Sequence, residues 1–397
     1  MRILWITIES ILPANSGGRI GIFKRLEKLS KNNEIYLFYT MDNQSDDRYV
    51  PDLEKYCVEV HGYIREKKSL NTLISMVGAP FTVASRKNIK MIKDIQNCLD
   101  SNIFDIINVD SPHMGLDLME LKIAVPIVLN QHNVEWQVYL NIAQSKKTLK
   151  SIIYYIDSYR FKRFEDRLYK NVKISLMTFV SMEDKACFEN NYPDLCRYEL
   201  VPVGAEVYDT KYDWQKKRTS KIIFVGKMSY APNIQATEWF VKEVFPKIKK
   251  EISDAEFYIV GKDPAPEVQR LSEIDGVKVT GAVESVDKYY KDADLVVIPL
   301  QHGGGVKVKL LEAMGYGCPI VSTSVGIQGT DFSSRELLVS DKASEFASMC
   351  IDFILNRLKY EEKYNILFDK FKKKYTWESI GKEYEILLQS IKNERDG

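Results

Sequence analysis

The chain has 397 residues, more than one hydrophobic core usually serves, so we expect two domains of about 200 residues each. Its 56 Lys and Arg residues are balanced by 55 Asp and Glu residues, which argues against a nucleic-acid-binding protein. The six cysteines form no CxxC pair or Cys/His cluster and no stretch approaches ~20 uninterrupted apolar residues, so we expect no metal site, disulfide scaffold or membrane-spanning helix.

The N-terminal half alternates short apolar runs with helical patterns. Residues 3–8 predict a strand that meets Glu9 too soon for a signal peptide, and with reduced thiols this favours a cytoplasmic protein. A glycine-containing loop then leads into a helix with apolar residues at helical spacing. Further strands are predicted over residues 34–40, 58–64, 104–110, 124–129, 175–181 and 198–205, and a helix over residues 89–99. This alternation predicts a parallel, doubly wound sheet.

The loop after the first strand carries the sequence Gly17-Gly-Arg-Ile-Gly21. It lacks the GxGxxG spacing of dinucleotide-binding turns, which argues against a hydride-transfer enzyme. Gly17 and Gly18 allow the backbone to approach a substrate, and Arg19 can meet a phosphate. A plain loop turn with a surface arginine is the alternative.

Polar side chains follow the predicted strand 124–129. They include His132, Asn133 and Glu135. Ligands of open parallel sheets bind beyond the carboxyl ends of the strands, so this cluster is placed where a substrate would lie. His132 is therefore a candidate substrate contact, and a structural histidine is the alternative.

Residues 146–173 contain nine basic and three acidic residues interleaved with tyrosine and phenylalanine. As an amphipathic helix this segment could lie on an anionic bilayer at the inner face of the cytoplasmic membrane, attracted by about 1 kcal/mol per cation. The favoured alternative is an ordinary helix with a solvated face and an aromatic stripe toward the core. Residues 70–85 could line an acceptor groove, but an ordinary helix and loop is again favoured.

The second half repeats the alternation after a polar stretch over residues 206–220 that lacks periodicity and is predicted as a linker. Strands are predicted over residues 221–226, 255–261, 276–281, 294–299 and 319–322, with a helix over residues 234–250. The sequence therefore predicts two Rossmann-like, doubly wound domains facing a cleft, over residues 1–205 and 221–370.

The strand at residues 294–299 is followed by His302-Gly-Gly-Gly-Val-Lys-Val-Lys309 and then by helix. Glycines let the backbone turn tightly, and the helix they open presents unpaired N–H groups, a combination that suits phosphate. Two lysines at the start of a helix oppose its dipole, so Lys307 and Lys309 make sense with an anion between them. Glu312, one turn further in, can accept hydrogen bonds from sugar hydroxyls. A glycine turn with solvated lysines is the alternative.

The segments 224–233, 257–262, 279–281, 293–299 and 303–321 together resemble the nucleotide-binding half of family-4 retaining glycosyltransferases, which have the GT-B fold. Weaker signals extend the resemblance over nearly the whole chain. Within the family, the chain resembles a subgroup with a Gly-Gly-Gly-x-Lys-x-Lys sequence. The resemblance implies that the segment 371–397 forms a helix that packs back on the N-terminal domain.

The resemblance also implies roles for particular residues. Lys227 would contact the donor diphosphate. Glu312 matches the second Glu of the family's Glu-x7-Glu motif and would bind the ribose hydroxyls. Gly304 stands where the first Glu of that motif is expected. The family's second lysine, expected near Pro232 and Asn233, is also absent, so Lys307 and Lys309 would supply the charge instead. The remaining donor-side positions are Gly226, His302, Gly303, Gly305 and Val306, together with Gly17, Gly18 and Arg19.

The implied activity is transfer of a sugar, with retention, from a nucleoside-diphosphate sugar to a glycan or lipid-linked acceptor, as in bacterial surface polysaccharide synthesis. No cofactor or metal is implied, and His132 would orient donor or acceptor. Two alternatives remain open because of Gly304: a non-catalytic nucleotide-sugar-binding module, and a sugar-nucleotide epimerase of the same fold.

Overall fold

The computed structural model describes residues 1–67, 69–145, 150–209 and 212–396. The chain folds into two compact units. Unit 1 comprises Met1–Val201 and Ile380–Gly397, and unit 2 comprises Pro202–Ser379. Each unit is built on one parallel sheet with helices between its strands, so the predicted fold class is confirmed.

The sheet of unit 1 has seven parallel strands in the order β3-β2-β1-β4-β5-β6-β7. The strands are β1 (Arg2–Thr7), β2 (Glu34–Met41), β3 (Glu59–Ile64), β4 (Ile106–Asp110), β5 (Ile127–Gln131), β6 (Leu176–Phe179) and β7 (Arg197–Leu200). The helices are α1 (Gly17–Leu29), α2 (Val50–Leu53), α3 (Leu70–Ser75), α4 (Phe81–Ala84), α5 (Ile89–Ser101), α6 (Gly115–Leu118), α7 (Glu135–Ser145), α8 (Lys150–Asn171) and α9 (Met182–Asn191).

Side chains of β1 alternate between two buried clusters. Ile3 and Trp5 belong to one cluster, and Leu4 and Ile6 belong to the other. Because successive side chains of a strand point to opposite faces, this sheet is covered on both sides. The same burial explains why its strands read as nearly continuous apolar runs.

The strand β5 begins three residues later than residues 124–129 predicted. Pro126 has no N–H to donate to a neighbouring strand, and only its carbonyl takes part, accepting from the Ile107 N–H at 2.9 Å. The strand thus begins at Ile127, and it ends at Gln131, directly before His132.

The helix α1 begins at Gly17, so Gly17 and Gly18 lie in its first turn and not in the predicted loop. The Ser16 hydroxyl caps this helix by accepting from the backbone N–H of Arg19. The cap satisfies one of the orphan donors and fixes where the loop ends.

The final helix, α18 (Trp377–Asp396), is distant in sequence from unit 1 but contributes to its core. Ile380, Tyr384, Leu388 and Ile391 recur at helical spacing and are at most 2% exposed. They pack in the same cluster as Ile3 and Trp5. The sheet of unit 1 is thus covered on one face partly by residues from the end of the chain.

The sheet of unit 2 has six parallel strands in the order β10-β9-β8-β11-β12-β13. The strands are β8 (Lys221–Val225), β9 (Glu256–Val260), β10 (Val277–Gly281), β11 (Leu295–Ile298), β12 (Ile320–Ser322) and β13 (Leu338–Val339). The helices are α10 (Ala231–Trp239), α11 (Phe245–Glu251), α12 (Pro266–Arg270), α13 (Asp287–Asp292), α14 (Val308–Gly315), α15 (Ser324–Ile327), α16 (Ala343–Asn356) and α17 (Glu361–Lys374), and Phe240–Val244 forms a π-helical turn between α10 and α11.

The predicted linker, residues 206–220, lies within unit 2. Residues 210 and 211 are outside the described part of the chain, but Tyr212 and Trp214 are buried in the core of this unit. The Tyr212 hydroxyl donates to the backbone carbonyl of Asp294 at 3.0 Å. Two aromatic anchors therefore tie down a stretch whose polar composition suggested a free connection.

Among the described residues, no helix combines the length and the apolar character that crossing a lipid bilayer requires.

Candidate functional site

The glycine turn follows β11 at the C-terminal edge of the unit 2 sheet and leads to α14, which starts at Val308. Gly303 and Gly305 have φ angles of +128° and +69°, a region that glycine adopts far more readily than other residues. Gly304 lies outside this region of φ, and no atom lies within 4 Å of where a Cβ at Gly304 or Gly305 would be. The turn thus needs glycine at two positions and leaves its outer surface open.

Lys307 immediately precedes α14, and its ammonium folds back into the glycine turn. Its Nζ donates to the carbonyl oxygens of Gly303 at 3.2 Å, Gly304 at 2.9 Å and Gly305 at 2.7 Å. The residue is only 7% exposed. These carbonyls are neutral acceptors, so they hold the ammonium without cancelling its charge. Lys307 therefore fixes the shape of the turn and places a positive charge inside it.

Lys309 lies in the first turn of α14 and reaches toward the end of β8. Its Nζ donates to Asn233 Oδ1 and lies 4.7 Å from the centre of the Phe224 ring. A Cβ added to Gly226 would be 3.4 Å from this Nζ and 2.8 Å from Asn233 Nδ2, so only glycine leaves the contact unobstructed. Burial, reinforced by the nearby Lys307 charge, lowers the pKa of Lys309 to about 8.

Asn233 is a site residue that the sequence analysis missed. It is 3% exposed, and its Nδ2 donates to the backbone carbonyl of Lys227 at 2.8 Å while its Oδ1 accepts from Lys309. One amide thus joins the turn after β8 to the first turn of α14. The signal in the sequence was its position, where the resembling family has a lysine.

The Lys227 side chain points away from this cluster toward Asp263, with 3.8 Å between Nζ and Oδ2. Both side chains are more than half exposed, so the ion pair contributes only about 0–1 kcal/mol. A stronger anionic partner can therefore displace Asp263. The backbone of Lys227 is fixed by Asn233, and its ammonium is not.

Glu312 lies one turn further along α14 and is packed beside tyrosines. The Tyr290 hydroxyl donates to Glu312 Oε2 at 3.2 Å, and burial raises the pKa of the carboxyl against the opposing effects of Tyr290 and Lys309. The Tyr316 ring stacks between those of Tyr290 and Tyr208, with centroid distances of 4.4 Å and 3.7 Å. Glu312 thus has one hydrogen-bond partner that fixes its orientation.

The remaining donor-side positions lie around the same turn. His302 is exposed, and Val306 packs closely on Gly329, where an added Cβ would be 2.7 Å from Val306 Cα. The buried Nε2 of Gln301 has no hydrogen-bond partner among the described residues. An unpaired buried donor is costly, so Gln301 is a second site candidate that the sequence analysis did not single out.

In unit 1, His132 directly follows β5 at the C-terminal edge of the sheet. Its Nε2 lies 3.6 Å from Oδ1 of Asp110, too long for a hydrogen bond but close enough for a charge interaction. Asp110 is the last residue of β4, which pairs with β5. The sheet itself therefore brings the imidazole and the carboxyl together.

Asp110 is fully buried and held from two further sides. Its Oδ1 accepts from Arg25 Nη2 at 3.1 Å and its Oδ2 accepts from the indole N–H of Trp5. Burial by itself would raise the pKa of Asp110, but the Arg25 guanidinium and His132 outweigh it and the net pKa is lowered. The group facing His132 is thus a fixed carboxylate.

A network of neutral polar groups extends behind this pair. Asn130 Oδ1 accepts from Thr178 Oγ1 at 2.6 Å and lies 2.9 Å from the Tyr384 hydroxyl, which is 2.6 Å from Asn108 Oδ1. Asn130 Nδ2 donates to Asn108 Oδ1 at 3.0 Å. Asn108 Nδ2 has no hydrogen-bond partner among the described residues, but the other hydrogen bonds of the network connect β4, β5, β6 and α18 next to His132.

The other predicted unit 1 residues surround this edge. Asn133 is exposed, and Glu135 opens α7 with its pKa raised by burial to about 7, against the opposing charge of Arg86. Arg19 pairs with Glu9 through Nη2, so its guanidinium already has an anionic partner. No atom of a described residue lies within 4 Å of where side chains at Gly17 and Gly18 would begin.

Residues 219–356 match a family model described as "Glycosyl transferases group 1". The matched region contains the glycine turn, Asn233, Lys309 and Glu312. An uncharacterised 44.6 kDa protein in the cps region of Klebsiella pneumoniae is 25% identical over 407 residues, covering 96% of this chain and 99% of that protein.

Solved structures similar to the chain cover nearly its whole length. Sucrose-phosphate synthase from Thermosynechococcus elongatus is 15% identical with a TM-score of 0.64, and 98% of this chain and 99% of that chain are covered. The Anabaena protein Alr3699/HepE in complex with UDP and glucose is 14% identical with a TM-score of 0.59, covering 98% and 100%. The chain has the GT-B fold. At these identities the likeness establishes the fold and nothing further.

Within each unit, the GT-B fold brings some of the predicted residues together. Lys307 meets the three glycines, and Lys309 approaches Gly226. His132 meets Asp110, which the sequence analysis did not name as a site residue. The ammonium of Lys227 and the guanidinium of Arg19 are each directed to a carboxylate instead. Membership of the Gly-Gly-Gly-x-Lys-x-Lys subgroup stays a prediction.

Proposed function

We propose that this chain is a retaining glycosyltransferase that moves a sugar from a nucleoside-diphosphate sugar to a glycan or lipid-linked acceptor. The match of residues 219–356 to a glycosyltransferase family model supports the reaction class. A structural neighbour crystallised with UDP and glucose supports a nucleotide-sugar donor. The relative from a cps region supports a role in surface polysaccharide synthesis, and we propose that the chain acts in the cytoplasm.

The donor diphosphate is proposed to bind at the glycine turn of unit 2. In sugar transfer the barrier reflects negative charge developing on the leaving diphosphate, and fixed cations and N–H dipoles aimed at it are worth several kcal/mol. Lys309 and the first N–H groups of α14 are the fixed donors here, and Lys227 is a mobile one. Lys307 contributes mainly by holding the turn in its open shape.

On the acceptor side, His132 is proposed to orient donor or acceptor hydroxyls. The Asp110 carboxylate 3.6 Å away favours one imidazole orientation, and it does so from a buried, fixed position. For retention, the leaving phosphate itself takes the acceptor proton in a same-face attack, so no covalent nucleophile is required. The reaction is proposed to proceed without metal because lysines and N–H groups carry the charge stabilisation.

The observation that carries this proposal is the part-buried ammonium of Lys309 between Gly226, Asn233 and the start of α14. Its nearest hydrogen-bond acceptor is a neutral amide oxygen, so its charge is available to an anion. We expect Lys309→Ala to weaken UDP or GDP binding about 10- to 100-fold, the range for one charge-assisted hydrogen bond. Isothermal titration calorimetry measures this.

The matched control is Lys242→Ala, which removes a lysine that is 59% exposed elsewhere on unit 2 and should leave affinity unchanged. Lys307→Ala should weaken binding less than Lys309→Ala, because it acts through the shape of the turn. Wild-type affinity in both the Lys307 and Lys309 variants would refute the assignment of the diphosphate site.

Gly304 favours one rival function, a nucleotide-sugar-binding module without turnover. The turn presents no side chain at the position where the resembling family has a sugar-contacting Glu, and the space there is open. Incubating the purified protein with nucleotide sugars separates the readings. Slow donor hydrolysis fits a transferase, binding without products fits the module, and an altered sugar nucleotide without acceptor fits an epimerase.

A further inference from the structure

The outward face of α8 changes character along its length. Its buried side is aromatic, with Phe161 and Phe164 at most 1% exposed, as the favoured alternative predicted. Its exposed side is polar only in the second half of the helix. The exposed residues follow one another at intervals of three or four along the helix, first apolar and then basic: Ile152, Ile156, Tyr159, Arg163, Arg167 and Lys170. Residues 146–149 of the predicted basic segment lie outside the described chain.

A second apolar ridge is formed by α3 and the turn after it. The favoured helix-and-loop interpretation is correct for residues 70–85, but the apolar side chains of α3 and of Val77 point outward. Leu70 is 71% exposed and Val77 is 91% exposed, with Leu73 and Ile74 exposed between them. Large apolar residues clustered on a surface at this exposure mark an interaction site more often than chance.

The two ridges belong to one surface of unit 1. Arg160 on α8 donates through Nη2 to the carbonyl oxygens of Met76 and of Ala79, the latter at 2.8 Å. Gly78 sits so close to Arg167 that a Cβ there would be 2.4 Å from its Nη1. The turn after α3 is therefore pinned against the middle of α8.

A groove of about 530 Å³ lies between the turn and α8. Arg160, Arg163, Arg167 and Lys170 line it, with Asp166 as its acidic residue. The Asp166 carboxylate is already paired with Lys162 at 3.0 Å. The groove is thus positively charged and opens beside an apolar ridge.

We propose that this surface docks unit 1 on an anionic lipid bilayer, with the apolar ridge in the acyl boundary and the basic groove around lipid phosphates. In a bilayer the apolar acyl region lies next to the anionic headgroup region, as the apolar ridge lies next to the basic groove here. Tyr155 and Tyr159 lie where ridge and groove join, and tyrosine favours the boundary between acyl chains and headgroups. A second copy of the chain fits less well, because a two-fold contact would bring the same cations face to face.

Docking is independent of the proposed transfer reaction and is tested separately, by sedimentation of the full-length protein with vesicles. We expect binding to phosphatidylcholine vesicles that contain phosphatidylglycerol, much less to phosphatidylcholine alone, and weakening with added salt. The apolar variant Leu73→Ser, Val77→Ser, Ile156→Ser and the charge variant Arg163→Glu, Lys170→Glu should each bind about tenfold more weakly.

Matched controls lie on unit 2. Leu355→Ser, Leu358→Ser, Ile366→Ser removes three exposed apolar residues, and Lys250→Glu, Lys288→Glu reverses two exposed cations. Both should bind vesicles like the wild type, and nucleotide affinity should be the same in all variants. The proposal is overturned if the wild type stays in the supernatant with anionic vesicles, or if the unit 1 variants bind as well as the controls. A dimer that the apolar variant dissociates would also overturn it, because a second copy would then cover the ridge.

Discussion

The two strand-end sites hold their charged groups in different ways. In unit 1 the guanidinium of Arg25 faces the Asp110 carboxylate at 3.1 Å, and Arg19 faces Glu9. In unit 2 the hydrogen bonds of Lys309 and Lys307 run to an amide oxygen and to backbone carbonyls. At these strand ends the guanidinium groups of unit 1 are paired with carboxylates, whereas the hydrogen bonds described for the two ammonium groups of unit 2 run to neutral oxygens.

This difference assigns a different kind of ligand to each edge. A site whose ammonium groups donate to neutral oxygens favours an anion, such as a diphosphate, and burial together with the nearby Lys307 charge keeps the pKa of Lys309 low until the anion arrives. A site whose charges are paired offers fixed dipoles and one orientable imidazole, which suits neutral hydroxyl groups. In the proposed reaction, the unit 2 edge would bind the leaving diphosphate and the unit 1 edge would orient sugar hydroxyls.

The largest expected effect separates these two tasks. His132→Ala should reduce kcat for sugar transfer about 100-fold or more, while UDP or GDP affinity stays at the wild-type value, because the imidazole acts on the sugars and not on the diphosphate. His61→Ala, which removes a partly exposed histidine of unit 1, is the control. A loss of nucleotide affinity in His132→Ala with kcat intact would reverse the division proposed above.

The carboxyl of Glu165 in unit 1 is expected to be protonated, and therefore neutral, because no cation among the described residues pairs with it. Its carboxyl is fully buried, neither oxygen has a hydrogen-bond partner among the described residues, and burial raises its pKa to about 8. The folded pKa exceeds the unfolded value of 4.5, so stability is lost as pH rises between these two values.

Glu165→Gln removes this titration. Relative to the wild type, its free energy of unfolding should therefore rise with pH and gain about 2 kcal/mol between pH ~5 and pH ~6.5. Urea denaturation across that pH range measures the difference. A constant difference at all pH values would mean that Glu165 is ionised in the folded protein.

The pH dependence of nucleotide binding tests whether the ammonium charge of Lys309 in unit 2 binds the diphosphate. Below pH 8 Lys309 is protonated in the free protein. Above pH 8 the Lys309 amine must take up a proton before it can bind an anion as an ammonium group. Affinity for UDP or GDP should be flat below about pH 8 and then fall by up to about tenfold per pH unit. Calorimetry of Lys309→Ala should give weak binding without this pH dependence from about pH 7 to about pH 9.

The smallest effect concerns the backbone of the glycine turn. Gly305→Ala should cost about 1 kcal/mol, because its φ of +69° disfavours a residue with a Cβ. Gly304→Ala, one position earlier, should cost much less because that residue lies outside this region and has open space around it. Thermal unfolding of the two variants measures the contrast, and equal losses would show that the turn rearranges.

The sequence was sufficient for the fold class because apolar runs bounded by turns are themselves the signature of a doubly covered parallel sheet. It also located the glycine turn, and Ser181, a residue type that favours helix N-caps, caps α9 by accepting a hydrogen bond from the Asp184 N–H at 3.1 Å. Each of these features depends on residues that are close together in the chain.

Other parts of the site depend on distant residues or on side-chain direction. The contact of Lys309 with Asn233 spans 76 residues, and that of Tyr384 with Asn108 spans 276. Spacing alone gives no sign of either. Nor does spacing tell that Lys307 turns back to the carbonyls of its own loop, since an extended side chain toward solvent fits the same sequence equally well.

The helix α18 has a consequence for how the protein is made. The strands of unit 1 leave the ribosome before unit 2, but four of the residues that complete their core, from Ile380 to Ile391, leave it after unit 2. Domains generally fold in the order of synthesis, yet here unit 2 has its whole sequence available before unit 1 does. The first half of the chain must wait, with the polar pocket for Tyr384 unfilled, until α18 has been synthesised.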